Sequence, residues 1–119
     1  MKNLIVHLLA LFFSISLLSQ SKEDYKNTLD FISTAYNEKN ASVIHQKFSS
    51  DLKQKLSQDV FKKTMDSLHS ENGKMSSYEL LLEDEKESSF LVEFEDSSML
   101  LLLYLSPDSQ ILKFDIKEY

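Results

Sequence analysis

The chain lacks cysteine, arginine and tryptophan, and holds one glycine and one proline among its 119 residues. Without cysteine there is no disulfide, no thiolate nucleophile and no cysteine-bound metal. A lipoprotein signal, which needs a cysteine at its cleavage point, is excluded as well. Without arginine there is no planar fork to read guanine edges or hold a phosphate at two points. The net charge of −6 points the same way, because a nucleic-acid partner needs a basic stripe. The single glycine, Gly73, cannot build a phosphate-cradling loop or the G-x-S-x-G elbow of a serine hydrolase.

What the chain does have is a long apolar run at its start. Lys2 is followed by Leu4–Leu18, apolar except for His7, Ser14 and Ser16, then by Ser19-Gln20-Ser21, with dense charge only from Lys22 onward. A basic start, an apolar middle and a small-residue exit make a secretory signal peptide over 1–21. The run of 15 residues is short of the roughly 20 that a membrane-spanning helix requires. Cleavage is expected after Ser19 or after Ser21, leaving a secreted or periplasmic protein with no membrane association. Residues 22–119 carry all the acids and a net charge of about −7, and are enough for one domain.

That domain divides into a helical half and a strand half. Ser21 with Asp24 three residues on opens a helix over 22–38, its apolar positions at Tyr25, Leu29, Ile32 and Tyr36. Asn40 caps a second helix through Ala41, Ile44 and Phe48. Ser49 or Ser50 restarts a short segment with Leu52 and Leu56, and Ser57 caps a third helix with Val60, Phe61, Met65 and Leu68, ended by Gly73. From Met75 the period becomes two. Strands are expected around Tyr78–Leu82, Phe90–Phe94, Met99–Leu105 and Ile111–Ile116, the last two joined by a turn with Pro107 at its second position. Helices followed by strands define an α+β domain: three N-terminal helices packed on a curved four-stranded antiparallel meander.

Phe48, the run Ser50-Asp51-Leu52-Lys53, Leu56-Ser57 and Leu68 followed by Gly73-Lys74 are carried in one helical segment. In these features the chain resembles a secreted bacterial domain-of-unknown-function family with the cone-shaped fold of the nuclear transport factor two and ketosteroid isomerase (cystatin-like) superfamily. The resemblance extends over most of 22–100. It implies a cone with a hollow between helices and sheet, and no catalytic residues come with it. Met65 stands where that family has a tryptophan in the third helix, which implies a looser floor beneath it.

Strand parity sorts the remaining side chains. Leu80, Leu82, Phe90, Val92, Phe94, Leu112 and Phe114 are expected to face the helices, and Glu79, Glu83, Glu93, Glu95 and Asp115 to face away. A pocket lined by Tyr25, Tyr36, Tyr78, Phe90, Phe94 and Phe114 is then aromatic and free of carboxylate. This favours a non-catalytic binding or interaction domain. The alternative is a small isomerase-type enzyme, which needs an inward carboxylate beside an oxyanion donor such as Tyr. His45 and His69 have no metal-ligand spacing, and no cofactor motif is present. The acidic run Glu83-Asp84-Glu85-Glu87 is a solvated hairpin tip, since calcium needs a tight loop of convergent oxygens. With Asp84–Ser88 as the first turn, Glu79 is expected opposite Glu93 and Leu81 opposite Leu91. Two-residue turns at Ser97-Ser98 and Pro107-Asp108 then bring Leu81, Leu91, Leu100, Leu102, Tyr104 and Ile111 into one apolar patch on the outer face, a candidate surface for a homodimer or a protein partner.

Mass spectrometry of the exported protein is expected to find a chain beginning at Gln20 or Lys22. An exported chain that retains Met1 overturns the signal-peptide reading.

Overall fold

The apolar period changes at Met75, and the architecture changes with it. A computed structural model describes residues 22–83 and 87–119; the expected signal peptide and most of the acidic hairpin tip lie outside the described residues. Helix α1 covers 22–37. It is followed by α2 (Ala41–Gln46), α3 (Ser50–Lys55) and α4 (Gln58–Asn72), then by β1 (Met75–Glu83), β2 (Ser88–Phe94), β3 (Ser98–Leu105) and β4 (Ile111–Glu118). The strands form one open antiparallel sheet in the order β1-β2-β3-β4. The domain is α+β with four helices, because the short segment after Ser49 is a helix in its own right. Among the described residues no helix is long and apolar enough to cross a membrane.

The helix starts follow local chemistry. The Ser49 side chain accepts from the Leu52 N–H at 3.2 Å and that of Ser57 from the Val60 N–H at 3.3 Å, each satisfying an orphan donor of the first turn. Asn40 occupies the cap position of α2, but its side chain accepts from the Ser42 hydroxyl instead of a backbone amide. Lys39, at φ +58, ends α1 in the left-handed region, and the Asn40 N–H reaches back to the Ala35 carbonyl at 2.8 Å.

The core lies between the helices and one face of the sheet. Leu29, Ile32 and Tyr36 of α1, Ile44 of α2, Phe48, and Phe61 and Met65 of α4 are buried with Phe90, Val92, Phe94, Leu101 and Leu103. At its centre the Phe48 and Phe61 rings meet edge to face at 4.9 Å, and Phe61 meets Phe114 the same way at 5.3 Å. Val60, expected on the apolar side of α4, is 54% exposed.

Where α4 turns into β1, five short-range ties converge. Gly73 has φ +81, and a Cβ there would lie 2.8 Å from Glu95 Oε2 and 2.9 Å from Glu95 Cβ. The Tyr36 hydroxyl donates to the Gly73 carbonyl at 2.7 Å. Asn37 donates through Nδ2 to the Met75 carbonyl at 2.9 Å and accepts through Oδ1 from the Met75 N–H at 2.8 Å. From the other side, the Glu95 N–H bonds the Lys74 carbonyl and the Asp96 N–H bonds the Asn72 carbonyl, both at 3.0 Å.

The sheet departs from the expected parity at its two edge strands. On β2 and β3, Phe90, Val92, Phe94, Leu101, Leu103 and Leu105 are buried, as the alternation requires. The first hairpin pairs Ser77 with Glu93 and Glu79 with Leu91, two residues away from the expected register, so Glu79 and Glu93 do not stand opposite each other. A shift between Leu80 and Leu82 inserts Leu81 as an extra residue. Leu80 pairs with Phe90 on the inner face, though half of it is exposed; Leu82, expected inward, pairs with Ser89 and is exposed; and Glu83, expected to face away, pairs with buried Ser88.

At the last hairpin the expected two-residue turn is a three-residue one. Ser109 takes φ +63, and the Ser106 N–H bonds the Gln110 carbonyl at 2.9 Å. The added residue turns Ile111 into the core, fully buried, and Leu112 outward, the reverse of the expected faces. Ile111 is held there by a second partner: its N–H bonds the Lys47 carbonyl at 2.7 Å and its carbonyl accepts from the Ser49 N–H at 2.9 Å. A second shift between Tyr104 and Leu105 restores parity, so Tyr104 pairs with Lys113 and Leu102 with Asp115 on the outer face.

Phe48→Ala is expected to lower stability by about 3–5 kcal/mol, a large share of the roughly 5–15 kcal/mol total of a domain this size. Gly73→Ala is expected to cost about 1–3 kcal/mol, since it combines positive φ with a clash against Glu95. Urea denaturation checks both. An unchanged midpoint for Gly73→Ala would show that the corner relaxes freely.

Candidate functional site: a cleft between the first helix and the first hairpin

α1 runs antiparallel to β1. Asn37 lies beside Met75, Asp30 beside Tyr78, and Lys22 and Tyr25 come opposite Leu80 and Glu83. The two elements touch closely at the α4–β1 corner and draw apart toward the start of α1. The gap is a cleft of about 240 Å³. Leu29, Ser88 and Phe90, all buried, form its floor; Tyr25, Tyr78 and Leu80 form its walls; Lys22, Lys26 and Glu83 stand at its exposed rim.

Each tyrosine hydroxyl expected to face a pocket makes a bond within the fold. Tyr25 accepts from the Leu105 N–H at 3.1 Å, just beyond the point where β2–β3 pairing ends at Ser88 and Leu103. Its ring lies 6.1 Å from that of Phe90. Tyr78 donates to Asp30 Oδ1 at 2.6 Å. Burial, then the hydrogen bond to Asp30 and its negative charge, push the Tyr78 phenol up to about 12. Tyr36 lies outside the cleft, at the α4–β1 corner. Its ring meets Phe94 edge to face at 5.5 Å and His69 at 5.1 Å. Burial, with a smaller contribution from Glu95, raises it to about 12 as well.

The six expected pocket residues therefore divide three ways. Tyr25, Tyr78 and Phe90 share the cleft, Tyr36 and Phe94 share the corner, and Phe114 packs on Phe48 and Phe61. The residues missed from the sequence are Lys22, Lys26, Leu80, Glu83 and Ser88 in the cleft, and Asp30 beside it. Lys22, Tyr25, Lys26 and Leu29 follow an i, i+3, i+4, i+7 spacing on one helix face, a signal that could have found the first two.

Neither histidine belongs to a reactive cluster. His45 Nε2 lies 2.8 Å from the Leu56 carbonyl; a carbonyl only accepts, so this nitrogen carries a proton and closes the end of α3. His69 Nε2 is buried with no partner among the described residues. Among those residues no three of His, Asp or Glu are placed to hold a metal ion. Of the expected association surface, Leu81 is exposed, Leu91, Leu100 and Tyr104 are half-buried, Leu102 is nearly covered, and Ile111 belongs to the core.

No family model, curated protein or solved structure matches this chain.

The raised phenols fix the sign of an alkaline effect. A group raised in the folded state contributes stability that is complete below its unfolded value of about 10 and is lost as pH rises through about 12. Near-ultraviolet titration is expected to show two tyrosines ionising late, and one in Tyr78→Phe. Ionisation of every tyrosine near 10 in the folded protein would contradict this environment.

Proposed function

We propose that residues 22–119 form a secreted binding domain that performs no bond chemistry, with the helices and meander arranged as in the cone-shaped family it resembles. The observation that carries this reading is the commitment of the tyrosine hydroxyls. Tyr36 donates to Gly73 and Tyr78 to Asp30, while the cleft between them and the start of α1 keeps an apolar floor. An isomerase would use a phenol to stabilise an oxyanion and a separate carboxylate to move a proton. Here the phenol donates to the nearby carboxylate itself.

The isomerase alternative draws on the same pair, since Asp30 and Tyr78 are the right residue types at 2.6 Å. The two readings separate in one assay. The exported protein, incubated with a Δ5-3-ketosteroid, is expected to give no isomerisation above buffer, and Asp30→Asn to behave identically. Turnover that Asp30→Asn abolishes would establish the enzyme and overturn the binding reading.

A second role, association between copies or with a protein partner through the outer sheet face, is favoured by Leu81, Leu91, Leu100 and Tyr104, which all lie away from the helices. It calls for a dimer by sedimentation at micromolar concentration, weakened by Leu100→Lys; a strict monomer ends the self-association form.

A further inference from the structure

We propose that the cleft between α1 and the β1–β2 hairpin takes a small amphipathic carboxylate, its apolar tail against Leu80, Tyr25 and Tyr78 over the buried Leu29 and Phe90, and its anionic head between Lys22 and Lys26. The inference deepens the binding-domain reading and rests on it. A cleft of about 240 Å³ open on one side has room for a short acyl or single-ring tail. Leu29 is fully buried and Phe90 nearly so, while Leu80 is 49% exposed at the mouth. An apolar tail would cover surface that the fold leaves wet.

The head group follows from the lysines. Lys22 and Lys26 stand one turn apart on the same face of α1, both at the rim. Like charges at this spacing repel. Among the described residues neither lysine is in an ion pair, whereas Lys62, Lys113 and Lys117 each have a carboxylate partner. An anion bridging Lys22 and Lys26 would relieve that repulsion. Glu83, also at the rim, opposes a carboxylate there and sets an upper limit on affinity that its neutral isostere should lift.

The test is an NMR titration of the exported protein with octanoate, octanol and octylammonium below their aggregation concentrations. Octanoate is expected to bind saturably, shifting the signals of Leu29, Leu80 and Phe90, and about tenfold more tightly than octanol, the factor that 1.4 kcal/mol represents. The Lys22→Gln/Lys26→Gln double variant should lose that tenfold preference while still binding octanol, and Glu83→Gln should strengthen octanoate two- to threefold. Equal binding of octanoate and octanol, or a preference for octylammonium, would overturn the carboxylate assignment while leaving a binding cleft in place. No cleft shifts with any of the three probes would overturn the site itself, and with it the binding reading of this cleft.

Discussion

The fold depends on the corner between α4 and β1. With no disulfide, the helical half and the sheet are joined in sequence only by Asn72-Gly73-Lys74, and that link is fixed from both sides. Asn37 at the end of α1 presents its amide to both backbone groups of Met75, as a neighbouring strand would. Tyr36 bonds the carbonyl of Gly73, the residue whose positive φ makes the corner. The β2–β3 turn closes on the same residues through Glu95 and Asp96. These bonds are short in space and long in sequence, so each removes much chain freedom for one contact. The chain's single glycine stands where φ is +81 and a Cβ would meet Glu95 at once; the left-handed positions at Lys39 and Ser109 are filled by residues that bear the strain at the surface.

The expected strand faces survived errors of register when those errors were even. The first hairpin is displaced by two residues from the expected pairing, and every inward side chain on β2 stays inward. The period of a strand is two, so an even slip moves partners without changing faces. Errors of one residue were the costly ones. Ser109, as a third loop residue, sent Ile111 into the core, and the extra residue Leu81 turned Leu82 outward and Glu83 to the inner face. Neither bulge has a local signal in the sequence. Ser109 is an ordinary residue in a position where glycine or asparagine would have announced the turn, and three consecutive leucines carry no alternation from which to read a face.

The site was legible in part for the same reason. The separation of the aromatics from the sheet's acids failed at Glu83, which was expected to face away and stands at the cleft with Tyr25, Tyr78 and Phe90. Alternation, moreover, says which face a side chain takes and nothing about its height along the strand. Phe90 and Phe94 share a face, yet one lines the cleft and the other closes the corner. Their separation depends on where α1 crosses the sheet, a long-range fact fixed by Asn37 on Met75. The rim lysines were missed because a lysine at the start of a helix reads as solvated surface until the opposing hairpin is in place.

The cleft is the consequence of a helix tied to a strand at one end. Met75 is tied at two atoms and Tyr78 at one, and beyond Tyr78 no hydrogen bond joins α1 to β1 among the described residues. The Tyr78–Asp30 bond is therefore the boundary between the zipped and the open parts of this wedge. The buried aromatic cluster of Phe48, Phe61 and Phe114 and the corner ties all lie on the zipped side or under the other strands. A wedge of this kind gives a small protein with no disulfides a rigid body and a local site at once. Tyr25 carries the fold across that boundary: within the cleft its hydroxyl still accepts from the Leu105 N–H, so a ligand there would rest against a wall that the sheet itself holds in place.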